Sequence, residues 1–151
     1  MRGYAIFFLV VLGIFIIDQN IKTIFVEGYY RAGECIDLEL DYNKGVAFSM
    51  FAFLGPYLKW IQVALIAVIL FVIYKEGYLK RYAFPAGLLV GGALGNVYDR
   101  FIHGGVVDYV AWHCAFDFAV FNFADVAIDV AVVMILIMVY FFPEKSKTET
   151  R

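Results

Sequence analysis

Four apolar stretches divide the chain, Tyr4 to Ile17, Tyr57 to Tyr74, Tyr82 to Val97 and Phe118 to Phe142, and polar residues gather between them. A bilayer crossing takes roughly 20 helical residues at about 1.5 Å each. The first and third stretches fall short of that and must extend into their polar flanks, which places Asp18 and Asn96 close to the membrane surface. The pattern predicts four transmembrane helices. The first follows Arg2 and has the look of a secretory signal, but no small-x-small cleavage site follows Ile17 and three more spans come later, so it reads as a retained helix.

The period changes between the first two spans. From Cys35 to Tyr42, Ile36, Leu38, Leu40 and Tyr42 alternate with Asp37, Glu39 and Asp41, the rhythm of a half-buried strand. A small extracytoplasmic sheet over the helices is expected, its acidic face in water, with Tyr30 to Met50 as a platform. In the third span Gly87, Gly91 and Gly95 recur every four residues with Gly92 beside them, leaving a helix face without side chains that a neighbour can approach. The fold class is therefore an α-helical integral membrane protein, with four transmembrane helices and a small extracytoplasmic β-sheet and loop region. One membrane-embedded domain spans 1–143, and the polar tail 144–151 is expected to be disordered and cytoplasmic.

Composition strengthens this reading: 64% hydrophobic, 19% aromatic and a mean hydropathy of +0.80 exclude an ordinary soluble domain. Orientation follows from the basic residues. Arg2, Lys75, Lys80, Arg81, Lys145, Lys147 and Arg151 lie at the termini and in the middle loop, against Lys22, Arg31, Lys44, Lys59 and Arg100 elsewhere. Both termini and the middle loop are expected in the cytoplasm. A net charge of -2 without a basic stripe excludes a nucleic-acid partner. Trp60 and Trp112 are expected as interfacial anchors. Cys35 and Cys114 both fall in outward loops, where a disulfide and two separate thiols are equally open.

Asp18 and Lys22 are four apart and share a helix face, as an ion pair at the membrane surface would. Asn96, Asp99, Arg100 and His103 likewise share one face, and Arg100 with Asp99 or Asp108 would make a salt-bridged helix end. Gly104 and Gly105 then break the helix, and Asp108 follows in an apolar run. Asp125 stands near the start of the fourth span. Two desolvated carboxylates brought together cannot both ionise easily and share a proton, which suits acid and base catalysis on a carbonyl. The same ingredients serve a proton pathway. Asp129, one turn beyond Asp125, could replace Asp108, extend such a path or pair with Arg100. Asp117 is expected in a solvated loop, and His103, His113 and Cys114 lack metal-ligand spacing.

The motifs Asp18-Gln-Asn-Ile-Lys22, Tyr42-Asn-Lys-Gly-Val-Ala-Phe-Ser49, Gly95-Asn-Val-Tyr-Asp-Arg100, His103-Gly-Gly-Val-Val-Asp108-Tyr109 and Phe121-Asn-Phe-Ala-Asp125, in this order, resemble the lipoprotein signal peptidase family, signal peptidase II. The resemblance implies a multi-pass aspartic endopeptidase of the bacterial inner membrane, its site near the periplasmic surface. It would remove signal peptides from diacylglyceryl-modified prolipoproteins by cutting before the lipidated Cys. It further implies Asp108 and Asp125 as the catalytic pair, with Asn43, Asn96, Asp99, Arg100 and Asn122 binding substrate or bracing the acids, and Asp18 with Lys22 as a structural pair. Arg100 would neutralise an ionised acid and hold the loop of Asp108. No metal or cofactor is implied, and the partners are the prolipoprotein and membrane lipid. Asp129 departs from the family, which would carry an uncharged residue there. The competing reading is a small proton-coupled transporter or channel subunit with Asp108, Asp125 and Asp129 as a relay.

Overall fold

The computed structural model describes residues 1–45, 52–116 and 118–143. Asp117, the tail 144–151 and residues 46–51, which end the Tyr42 to Ser49 motif, lie outside the described residues. Helix α1 spans Arg2–Val26, strand β1 Ile36–Asn43, α2 Tyr57–Lys75, α3 Ala83–Ile102, strand β2 Val106–Trp112 and α4 Phe123–Phe141. The first and third helices do run on into their polar flanks, past Asp18 and Asn96. The fourth begins later than the apolar stretch suggests, because Phe121 pairs with Val110 as an isolated bridge beside β2 and the capping residue Asn122 is extended.

Helices α1, α2 and α4 are long and apolar enough to cross a membrane. Helix α3, about 30 Å long at 20 residues, is less apolar, with Asn96, Asp99 and Arg100 in its outer turns, and its neighbours cover it. Thirteen of its residues are buried, including Asn96, Asp99 and Arg100, whereas α1, α2 and α4 turn large apolar side chains outward. Glycines and a polar outer turn are tolerable in α3 because protein, not lipid, surrounds them.

The glycine ridge explains how close the neighbours come. A Cβ on Gly91 would stand 2.9 Å from Ile14 Cβ, and one on Gly87 would stand 2.7 Å from Val10 Cβ. At Gly95 it would meet the Asp18 carboxylate, and on the adjoining face Gly92 lies against Ala124 and Ile128 of α4. A single helix thus seats both α1 and α4 on its backbone. Near the opposite end, Gly3 packs on the Leu79 carbonyl and Arg81 donates to the Met138 carbonyl at 3.0 Å, so the chain start, the α2–α3 turn and the end of α4 share one end of the bundle.

At the other end, Gly104 adopts φ 75°, which only a residue without Cβ takes without strain, and turns the chain out of α3 into β2. Strands β1 and β2 are antiparallel, with Ile36 opposite Trp112 and Asn43 opposite Val106. The expected strand is there, but its clean alternation is not. The register shifts between Leu38 and Asp41, and Ile36, Leu40 and Tyr42 are exposed, because β2 rather than β1 lies against the helices: Val106 through Tyr109 are buried. A disulfide joins Cys35 to Cys114 with Cα atoms 4.5 Å apart, closing the sheet beside the Ile36 and Trp112 pair. Trp60 is well exposed on α2 and Trp112 partly so at the sheet's edge.

Candidate active site

Elementary sheet geometry places the first acid. Asn43 lies opposite Val106, so Asp108, two residues on, projects from the same face within diagonal reach. Asn43 Nδ2 donates to Asp108 Oδ2 at 3.1 Å, and Asn122 Nδ2 donates to Oδ1 at 2.6 Å. Asp108 is 2% exposed. Burial first, and the charge of Asp125 second, push its carboxyl up to about 7.

The second acid comes from a helix start. Asn122 caps α4 by accepting from the Asp125 amide at 2.9 Å, while Asp125 Oδ2 accepts from the Asn122 amide at 3.1 Å, a reciprocal capping box. Because the same Asn122 carboxamide turns its nitrogen to Asp108, one residue ties both acids together. Asn96 completes the frame. Its Oδ1 accepts from Lys22 at 2.9 Å and from Asn122 at 3.1 Å, which leaves Nδ2 to donate to Asp125 Oδ1 at 2.8 Å.

Behind Asn96 is a buried ion cluster. The Lys22 ammonium lies 2.8 Å from Asp18 Oδ2 and 2.7 Å from Asp99 Oδ2, so its three donors meet three acceptors. The expected pair of Asp18 and Lys22 is therefore present, enlarged by Asp99 and buried in the protein. Each carboxylate also holds backbone: Asp18 Oδ1 accepts from the Ala124 amide at 3.1 Å, fixing the start of α4, and Asp99 Oδ2 accepts from the Val107 amide at 3.2 Å, fixing β2 next to Asp108. Gln19, passed over in the sequence although it sits inside the first motif, donates to Asp18 and Asp99 at 3.1 and 3.0 Å.

The salt bridge expected of Arg100 is corrected. Lys22 occupies Asp99, and Arg100 instead donates to the carbonyls of Asn43, at 3.4 Å, and Gly45. It braces the end of β1 that presents Asn43, not the loop of Asp108. His103, on the expected face by spacing, caps the end of α3, exposed and beside Tyr42, because the helix stops before carrying it inward. Asp129 is exposed, and among the described residues no hydrogen bond or ion pair ties it to the two acids or to Arg100. His113 lies 3.3 Å from Asp37, remote from Asp108 in the strand register, and no three His, Cys, Asp or Glu among the described residues gather as metal ligands.

Both acids open on one cavity of about 470 Å³, whose polar lining is Asn43, Gln62, Asn96, Arg100, Asp108, Asp125 and, at its margin, the exposed Asp129, and whose apolar wall includes Phe118, Val126 and Ile128. The site is thus a pair of carboxyls, one buried on a strand and one at a helix start, facing a half-apolar cleft between α2, α3 and α4. It can hold a proton and a water molecule beside an extended apolar chain.

Comparison with known proteins shows the family and the fold. The chain is 76% identical over 146 residues to the lipoprotein signal peptidase of Sulfurovum sp. (strain NBC37-1), covering 97% of this chain and 100% of that one. With the lipoprotein signal peptidase of Helicobacter pylori (strain Shi470) it shares 46% identity, over 96% of this chain and 93% of that one. A bacterial membrane enzyme solved by the in meso method at 2.3 Å has the same fold, with a TM-score of 0.76 at 24% identity over 93% of both chains. The Signal peptidase (SPase) II family matches residues 10–141, so this membrane protein, a peptidase by its family, belongs to signal peptidase II.

Proposed function

We propose that the chain is an aspartic endopeptidase of the bacterial inner membrane that cuts a diacylglyceryl-modified prolipoprotein just before its lipidated Cys. The observation that carries this reading is the joint hold of Asn122 on Asp108 and Asp125 above one cleft. The relatives named lipoprotein signal peptidase supply the substrate class. The substrate's acyl chains stay in lipid, and its peptide enters the half-apolar cleft. The whole span 1–143 serves as one peptidase domain, since the acids rest on α1, α3, α4 and both strands together.

The two carboxyls share one proton. The ionised one takes a proton from water as the oxygen attacks the scissile carbonyl carbon, and the protonated one gives its proton to the carbonyl oxygen. The resulting tetrahedral diol collapses as the C–N bond breaks: the amine leaves with a proton from the acid that gained one, a diol hydroxyl gives its proton to the other acid as the carbonyl re-forms, and the pair returns to its starting state. Asn43, Asn96 and Asn122 orient the carboxyls without adding charge. Lys22 orients Asn96 in turn. With the basic termini and middle loop in the cytoplasm, the sheet and the acids lie at the periplasmic end, where water and a lipid-anchored peptide meet.

The test is cleavage of a diacylglyceryl-modified prolipoprotein peptide by the purified protein in a membrane-like environment. Asp108→Asn and Asp125→Asn are expected to insert normally and lose at least about 10³-fold in rate, while Asp129→Asn retains most activity. Full cleavage by Asp108→Asn would overturn the assignment. Proton flux across liposomes that depends on Asp129, without proteolysis, would move the relay reading into its place.

A further inference from the structure

Helix α2 is apolar from Ile61 to Tyr74 except at one position, Gln62. Its carboxamide oxygen is buried and has no hydrogen-bond partner among the described residues. A buried amide oxygen left unpaired in a membrane-spanning helix is costly, and such groups in native structures mark a site that something else completes. Leucine would serve packing better.

The position of Gln62 says what completes it. It lines the cleft of the two acids and also a second, smaller cavity of about 210 Å³ between α2, α3 and α4. Asn96 and Ile128 line both as well, so the cavities meet at this point. The smaller one is otherwise walled by residues such as Leu65, Ile66, Ile69 and Val90. A peptide passing from this apolar crevice to the acids leaves water behind, and each backbone N–H then needs an acceptor. Gln62 stands at the neck, and a turn of its carboxamide brings its buried oxygen round to face the peptide.

We propose that Gln62 is a substrate-positioning residue whose carboxamide oxygen accepts a hydrogen bond from one backbone N–H of the peptide beside the scissile bond. It touches neither acid and moves no proton. It fixes the register of the peptide, so that the scissile carbonyl lies over Asp108 and Asp125. This rests on the endopeptidase reading of the same cleft.

The test pairs Gln62→Leu with substrates in which one backbone amide at a time is replaced by an ester, which removes a single N–H. With wild type, one ester position is expected to lower kcat/KM about tenfold, the size of one hydrogen bond. With Gln62→Leu, kcat/KM on the all-amide substrate falls by a similar factor, and that same ester position has no further effect. A merely structural residue would lower activity without erasing the response to one ester. The Leu variant is expected to melt at the same or a higher temperature, since it removes an unpaired polar group; Gln62→Met repeats the test should the Leu variant fail to accumulate. If no ester position responds to the identity of residue 62, the proposal is wrong. Asp108→Asn, run alongside, separates the two failures, because its retention of activity would sink the endopeptidase reading itself.

Discussion

The Lys22 ammonium donates to Oδ1 of Asn96 at 2.9 Å, and through that one bond the buried ion cluster of α1 and α3 is continuous with the two acids. Asn96 could otherwise rotate its carboxamide by half a turn. With Lys22 against its oxygen, its nitrogen must face Asp125.

Lys22→Met should therefore harm both stability and rate. It leaves Asp18 and Asp99 buried without their cation, a loss on the order of 3–5 kcal/mol, and frees Asn96 to turn. Thermal unfolding in detergent should show the drop. Asp18→Asn added to Lys22→Met should cost less than the sum of the two, because it removes one of the uncompensated charges.

Stability should fall as pH rises through neutrality. The Asp108 carboxyl titrates at about 7 in the folded chain against 3.8 ordinarily, so the folded state holds a proton that the unfolded state releases. Its contribution is complete below the unfolded value and is lost as pH rises through 7, by ~4 kcal/mol as an upper estimate. Melting curves at acid and at mildly alkaline pH should differ accordingly, and Asp108→Asn should flatten the difference. The alkaline limb of the cleavage profile should fall near the same pH, titrating the pair as one unit.

Asn122→Ala removes a helix cap and the shared tether of both acids at once. The cap is worth about 1 kcal/mol, too little to unfold the chain. Loss of orientation should lower kcat about 10²-fold, with KM changing much less. A proportional rise in KM alone would show instead that Asn122 serves binding.

Gly95→Ala should damage the ion cluster, since its Cβ would meet the Asp18 carboxylate, which is fully buried and cannot retreat. Gly13→Ala is the matched contrast: its Cβ would meet nothing within 4 Å, and the gain in helix propensity is up to about 1 kcal/mol. Melting temperatures of the two variants should move in opposite directions.

Much of this protein can be read locally. Spans follow from runs of apolar residues, because each residue in lipid must satisfy its own backbone within the helix. The glycine ridge follows from a spacing of four, and the end of α3 from Gly104 and Gly105. Spacing also put Asp18 with Lys22 and grouped Asn96, Asp99 and Arg100, since residues on one helix face are neighbours whatever the rest of the chain does. The ordered motifs pointed to the family and to the pair Asp108 and Asp125.

What spacing could not supply was the partner across elements. By spacing Lys22 belongs with Asp18 and Arg100 with Asp99 or Asp108, and only the approach of α1 along the glycines of α3 brings Lys22 to Asp99 as well, while Arg100 turns to the carbonyls of β1. The apolar run before α4 and the alternation in β1 suit more than one conformation, and the bridge from Phe121 to Val110 and the register shift after Leu38 chose between them. Cys35 and Cys114 could pair or not until β1 and β2 aligned. The sequence alone determined which residues belong to each helix face. Tertiary structure decided which buried polar groups satisfy one another, because a buried charge takes whichever opposite partner packing puts within hydrogen-bond distance, and that distance depends on elements far apart in the chain.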